Sequence, residues 1–167
     1  RIDVDNSKQP NSRWYSGSGI YRDVNLWTGK DVYISHDKLR ITTLSVNDDM
    51  AVIEVCAQLK NIIGHGLEAE CLIEIKKDGQ KTASDTQRVV FRSEQMQTVR
   101  VQIPIEHPKK WSPKQPALYE CHITTKFDDK ICDEAVSNFG IRVLALDPVR
   151  GLQINGETVK LRGTCIH

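Results

Sequence analysis

The feature that most constrains the fold of this chain is a long succession of short segments, between positions 31 and 146, in which apolar and polar residues alternate. In one of them Ala51, Ile53 and Val55 share one phase, while Glu54 takes the other. Residues two apart lie on the same face of a β-strand, so each segment predicts a strand with one buried face. No segment of helical length carries a 3.6-residue period. The pattern predicts seven to nine short strands in about 115 residues, which is typical of an all-β protein, an antiparallel β-sandwich with short flanking segments.

Residue pairs that favour tight turns separate several of these segments. They are Asp78-Gly79, Asp128-Asp129 and Asn155-Gly156. Glycine, aspartate and asparagine tolerate the left-handed backbone that two-residue hairpin turns require. Each pair therefore predicts a turn between two antiparallel strands.

The two ends of the chain differ from its middle. Residues 1–30 are rich in turn formers and are too short to bury a core of their own. Asp147-Pro148 marks a second boundary, after which residues 147–167 hold one predicted hairpin and then another ordered segment. The chain does not begin with Met. We therefore expect it to be part of a longer protein, divided at 1–30, 31–146 and 147–167.

Charge and hydropathy exclude two classes of partner. The chain has 23 Lys and Arg against 22 Asp and Glu, a net charge of +1, so nothing indicates nucleic-acid binding. No apolar run approaches the roughly 20 residues that a membrane-spanning helix needs. The sequence predicts neither a nucleic-acid partner nor a membrane span.

Five cysteines are present, and none has the spacing of a metal site. Cys56 falls on the polar phase of its segment and is expected to point outward. Cys71 and Cys121 fall on apolar phases and are expected to lie in the core. They either form a disulfide or pack as two free thiols, and the second alternative is favoured. Tyr119 is expected to form a tyrosine corner, in which the phenol hydroxyl bonds to a nearby loop.

Few residues suggest chemistry of their own. No serine, histidine and aspartate are arranged as a catalytic triad, and residues 16–19 lack the lysine of a phosphate-binding loop. Asp3 and Asp5, beside Asn6, carry oxygens that could ligate Ca²⁺, but such residues are more typical of turns. Trp111 is either a stacking platform for a sugar or a loop aromatic packed over the end of the sandwich, and the second is favoured. We predict no metal site in this chain.

Four segments together resemble glycoside hydrolase family 2, the family of β-galactosidases, β-glucuronidases and β-mannosidases. Residues 11–24, NSRWYSGSGIYRDV, resemble the end of the sugar-binding jelly-roll domain of that family. Residues 107–119, HPKKWSPKQPALY, and residues 139–142, FGIR, resemble two phrases of its immunoglobulin-like domain, with His107 where asparagine is more usual. Residues 151–167, GLQINGETVKLRGTCIH, resemble the entry to its catalytic (β/α)8 barrel. The wording is most like that of bacterial β-galactosidases.

The resemblance implies a domain organisation. Residues 1–30 would be the C-terminal tail of the jelly-roll domain, residues 31–146 an immunoglobulin-like antiparallel β-sandwich, and residues 147–167 the first hairpin and strand of the barrel. The sandwich would pack within the molecule against the sugar-binding and barrel domains and so position one against the other.

The resemblance also implies where the chemistry lies. Family 2 enzymes hydrolyse β-glycosides with retention of configuration through two glutamates on the barrel. Both would lie downstream of this chain, which therefore holds no catalytic residue and should be inactive alone. By resemblance His167 would contact sugar hydroxyls, but only in the full enzyme. No cofactor is expected in this chain, although Mg²⁺ or Na⁺ could be held in the barrel.

A different class of function competes with this interpretation. A non-catalytic carbohydrate-binding or adhesion sandwich would share the fold, and it would bind sugar by itself near Trp111 or Trp14. Sugar binding by the isolated chain separates the two interpretations.

Overall fold

Alternation in the sequence becomes strand structure throughout the middle of the chain. The computed structural model describes residues 1–8, 17–92 and 95–165. Two compact units are present: one comprises Arg1–Trp27 and Leu161–His167, and the other Thr28–Lys160. The described residues of the first unit contain neither helix nor strand. Within the described ranges no helix is long and apolar enough to cross a membrane.

The first sheet of the larger unit is built around one long strand. It contains β1 (Val32–Ile34), β2 (Arg40–Val46), β3 (Met50–Asn61) and β6 (Met96–Glu106), and a short 3-10 helix at His36–Lys38 separates β1 from β2. β6 pairs with almost the whole length of β3. β1 and β2 therefore share the opposite edge of β3, where β1 pairs with its C-terminal end and β2 with its N-terminal part.

The second sheet has the order β5-β4-β7-β8, and all of its pairs are antiparallel. Its strands are β4 (Leu67–Lys77), β5 (Gln80–Phe91), β7 (Tyr119–Phe127) and β8 (Lys130–Phe139). A third, smaller antiparallel sheet follows, formed by β9 (Leu144–Asp147), β10 (Gly151–Ile154) and β11 (Glu157–Thr158). It belongs to the same compact unit as the sandwich, Thr28–Lys160. The assignment of residues 147–167 to a following domain stays a prediction.

The core is formed by the apolar phases of both large sheets. In β3, buried and partly exposed residues alternate without interruption from Ala51 to Asn61. The buried cluster includes Ile53, Ile73, Phe91, Ile103 and Ile123. The prediction of an all-β, immunoglobulin-like antiparallel β-sandwich is confirmed.

Strand β1 joins the two sheets along one side of the sandwich. Its backbone pairs with β3, but the N–H of Ile34 donates to Asp133 Oδ2 on β8, 2.8 Å away. The Thr125 hydroxyl of β7 donates to the Val32 carbonyl at 2.8 Å. Just before β1, the N–H of Lys30 donates to the Cys132 carbonyl at 3.1 Å. These bonds satisfy backbone groups that pairing with β3 alone would leave open.

All three predicted turns form with positive φ at both central residues. The φ angles are 52° and 79° at Asp78-Gly79, 52° and 57° at Asp128-Asp129, and 53° and 84° at Asn155-Gly156. Two successive left-handed residues define the turn whose twist matches a β-hairpin. The pair at Asp128-Asp129 is the exception in composition, because it has no glycine.

The two aspartate turns provide a matched pair of predictions. Asp129→Gly is expected to raise the free energy of unfolding by about 0.5–1 kcal/mol, because glycine adopts the left-handed region without the steric cost of Cβ. Gly79→Asp, which creates the same Asp-Asp pair in the β4–β5 hairpin, is expected to lower it by a similar amount. Urea denaturation of both variants measures the change. If both substitutions raise the free energy of unfolding, or both lower it, this explanation is wrong.

The cysteines lie where their phases predicted. Cys56 is half-exposed on the outer face of β3, while Cys71 and Cys121 are buried, and all three are free thiols. Cys71 is paired with Thr125, whereas Cys121 is paired with Ile75, so the two thiols are four residues apart in register on neighbouring strands. That offset is about 13 Å at the rise of a β-strand, well beyond the span of a disulfide. Burial raises the pKa of each thiol to about 12, and at Cys71 the carboxylate of Glu70 adds to the shift, so both thiols stay protonated and inert.

Candidate functional site

The loop between β6 and β7 folds back onto the end of the sandwich, and Tyr119 fixes its beginning. The N–H of Lys109 donates to the phenol oxygen of Tyr119 at 2.9 Å. The ring of Tyr119 is buried and stacks on Phe139, with 5.7 Å between centroids. The predicted tyrosine corner is therefore present, because the hydroxyl bonds to a backbone group ten residues upstream.

Trp111 is held in this loop from both its backbone and its ring. Its N–H donates to the Ile141 carbonyl at 2.9 Å. The guanidinium carbon of Arg142 lies 4.4 Å from its ring centroid, a cation–π contact. Gly140 approaches so closely that a Cβ added there would lie 2.8 Å from Cβ and Cγ of Trp111. The indole is half-buried, so Trp111 is a packed loop aromatic rather than an open platform for a sugar.

Asn155 connects the same loop to the small third sheet. Its Nδ2 donates to the Trp111 carbonyl at 2.9 Å, and its Oδ1 accepts from the N–H of Val143 at 3.0 Å. Its own N–H donates to the Val143 carbonyl at 2.9 Å. One residue of the β10–β11 turn therefore bonds to the β6–β7 loop and to the segment between β8 and β9.

A cleft of about 230 Å³ lies between residues 112–114 and the third sheet. It is lined by Ser112, Pro113, Lys114, Ile154, Glu157, Thr158, Val159 and Lys160. A glycosidase needs two carboxyl groups flanking the scissile bond. Glu157 is the single carboxylate among the residues that line this cleft.

A larger cleft of about 490 Å³ does contain several carboxylates, at one end of the second sheet. Glu68 is ion-paired with Arg88, and Glu70 lies 3.7 Å from Lys126. The hydrogen bond from Arg88 holds the pKa of Glu68 below its ordinary value. A general acid of a glycosidase needs a raised pKa, so this pairing works against that role.

The other carboxyl groups with shifted pKa values are shifted in the same direction. Hydrogen bonds from Lys110 and Lys77 lower the pKa of Asp48 and Asp78, respectively. Backbone N–H groups, first that of Arg150, lower the pKa of Asp147. These groups are stabilised in the charged form, which suits ion pairs and turns rather than proton transfer.

The sequence-predicted site residues are placed as follows. His167 and Trp14 lie outside the described residues, so the role given to His167 by resemblance stays a prediction. Asp5 accepts a bond from the N–H of Ser7 at 2.9 Å. A hydrogen bond from the Ser7 hydroxyl and, to a smaller extent, the one from its N–H lower the pKa of Asp5. Asp3 is paired with Arg1. The Asp5–Ser7 bond is typical of an Asx turn. In the ranges 1–8, 17–92 and 95–165, no group of three or more His, Cys, Asp or Glu side chains could hold a metal ion.

Sequence reasoning did not find the contacts made by Gly140, Arg142 and Asn155. The Asn155-Gly156 pair predicts the turn, but no pattern indicates what the asparagine amide contacts. Arg142 belongs to the FGIR segment that resembles the family, but nothing in that segment indicates its contact with Trp111.

Comparison with known proteins gives consistent matches. The family model described as glycosyl hydrolases family 2 matches residues 32–142. The chain is 30% identical over 166 residues to a candidate β-glucuronidase of Formosa agariphila, covering 99% of this chain and 15% of that protein. It is 29% identical over 177 residues to the β-galactosidase BoGH2A of Bacteroides ovatus, covering 99% and 20%. A solved glycosyl hydrolase family 2 member from Bacteroides cellulosilyticus matches with a TM-score of 0.83 at 29% identity, over 93% of this chain and 20% of that one. The chain thus spans a fifth or less of the length of these proteins.

Proposed function

Because this chain belongs to glycosyl hydrolases family 2, we propose that it is the structural sandwich of a longer enzyme that hydrolyses β-glycosidic bonds. One observation carries the proposal: the chain matches the family over its sandwich but covers only 15–20% of relatives that are named for glycosidase activities. The site geometry agrees, because Glu157 is the single carboxylate of one cleft and Glu68 and Glu70 of the other are ion-paired. On this proposal the sandwich positions the sugar-binding domain against the catalytic barrel.

The flanks would belong to those neighbouring domains. Residues 1–30 would end the jelly-roll domain, and residues 147–167 would begin the barrel and end at His167, which would contact sugar hydroxyls. The two catalytic glutamates would lie further downstream, about 5–5.5 Å apart, as retention of configuration requires. Any Mg²⁺ or Na⁺ would be held in the barrel.

We propose a β-galactoside as the substrate. The proposal rests on the similarity of the sequence to bacterial β-galactosidases and on relatives named β-galactosidase. The full-length protein that contains this chain is expected to release p-nitrophenol from p-nitrophenyl β-galactoside. NMR of the first-formed sugar is expected to show the β-anomer. Preference for a β-glucuronide would keep the enzyme class and change the sugar. Absence of hydrolysis with every β-glycoside would contradict the proposal.

The 167-residue chain alone provides the complementary test. It is expected to hydrolyse none of these substrates and to show no binding in a calorimetric titration with galactosides up to millimolar concentration. The physical reason is that Trp111 is covered by Arg142 and Gly140 and cannot stack on a sugar. Saturable binding at millimolar concentration or below would favour a carbohydrate-binding module instead.

A further inference from the structure

Three segments of the chain meet at the side chain of Asn155, and the contacts use the whole amide. The NH2 group donates to the Trp111 carbonyl and the oxygen accepts from the N–H of Val143. Aspartate could only accept, and an alkyl side chain could do neither. The residue also has a φ of 53°, a left-handed conformation that asparagine tolerates better than most residues. Asparagine meets the bonding and backbone requirements together.

The sheet that carries Asn155 has little else to hold it in place. Its strands contain four, four and two residues. Leu144 and Leu146 on β9 are 56% and 83% exposed, so they contribute little buried apolar area. A sheet of such short strands depends on contacts with its neighbours for its stability. Only Gln153 and Ile154 are buried among the residues of these three strands.

The anchor on the other side of the contact is rigid. The backbone of Trp111 is bonded to Ile141, its ring lies under Arg142, and Gly140 packs against it. Ile141 itself is fully buried. A bond to the Trp111 carbonyl therefore ties the small sheet to the core of the sandwich.

We infer that Asn155 is a positioning residue that fixes the β10–β11 hairpin on the end of the sandwich, and with it the course of the chain as it reaches Lys160. The consequence for catalysis rests on the proposed function, in which a barrel begins in this part of the chain. The hydrogen bonds of Asn155 would then set the point from which its first strand starts.

The first experiment measures backbone order in the 167-residue chain by NMR. Asn155→Gly keeps the left-handed turn and removes both side-chain bonds. Order parameters of residues 152–159 are expected to fall from about 0.85 toward 0.6, while those of β3 stay unchanged. Asn155→Asp keeps the acceptor for the N–H of Val143. Its order parameters for residues 152–159 are expected to lie between those of the wild type and those of Asn155→Gly. Order parameters in Asn155→Gly equal to those of the wild type would overturn the inference.

The second experiment measures hydrolysis by the full-length protein. Asn155→Gly is expected to lower kcat/KM at least threefold without changing the unfolding midpoint of the sandwich. Asp129→Gly is the control, because it lies in the β7–β8 turn, whereas Asn155 contacts residues beyond the other end of β8. It should leave kcat/KM unchanged. Equal kcat/KM for Asn155→Gly and wild type would overturn the catalytic consequence. A wild-type protein without activity would overturn the proposed function instead, and the order parameters would still decide whether Asn155 fixes the hairpin.

Discussion

Replacing Ile73 by alanine is expected to lower the free energy of unfolding by about 2–5 kcal/mol. Ile73 lies on β4, an inner strand of the second sheet, and is fully buried. Its cross-strand neighbour Ile123 on β7 is also fully buried. The substitution removes apolar area from the core and leaves a cavity that two flanking strands cannot readily close. Urea denaturation followed by tryptophan fluorescence measures the loss.

Ile131 provides the control for this substitution. It lies on β8 of the same sheet, but its side chain is 48% exposed. Ile131→Ala is expected to change the free energy of unfolding by less than about 1 kcal/mol, because it opens no cavity. Similar losses for the two variants would mean that the core between the sheets is not close-packed at Ile73.

The second large effect is expected at Thr125, where Thr125→Val should cost about 1–3 kcal/mol. The substitution preserves shape and removes the hydroxyl that donates to the Val32 carbonyl. Both residues are fully buried, so that carbonyl would lose a partner that water cannot replace. Thermal unfolding should show the loss as a lower midpoint.

Thr124→Val is the matched control, because it makes the same chemical change one residue earlier on β7. Thr124 lies on the outer, partly exposed face of the strand. Replacing its hydroxyl is expected to change the free energy of unfolding by no more than about 0.5 kcal/mol. A loss for Thr124→Val as large as that for Thr125→Val would show that the bond to β1 is not the cause.

The sequence predicts the fold because its strongest signal, the period of two, is local. Each alternating segment indicates which face of a strand is buried, and the turn pairs indicate where strands reverse. Register between strands is not local. The phases of Cys71 and Cys121 placed both in the core, but only the paired sheet shows that they are four residues apart. The same limit applies to Asn155, whose amide contacts residues brought close by the closed sandwich.

The backbone at His107 bears on a position where this chain differs from the usual residue of the family. This residue stands where the resembled phrase more usually has asparagine, and its φ is 45°. The left-handed region disfavours most side chains and tolerates asparagine better. A left-handed backbone at this position suits asparagine, and histidine is also among the residues enriched in that region.

The bonds that hold β1 also set an order of events during synthesis. Val32 and Ile34 are held by residues 93 and 99 positions later in the chain. At 5–20 residues per second, a ribosome adds that length in about 5–20 s. During this interval β1 can pair with β3, but the residues of β7 and β8 that connect it to the second sheet have not yet been synthesised. On the proposed function, the preceding sugar-binding domain would fold during this time, before the two sheets of the sandwich are joined.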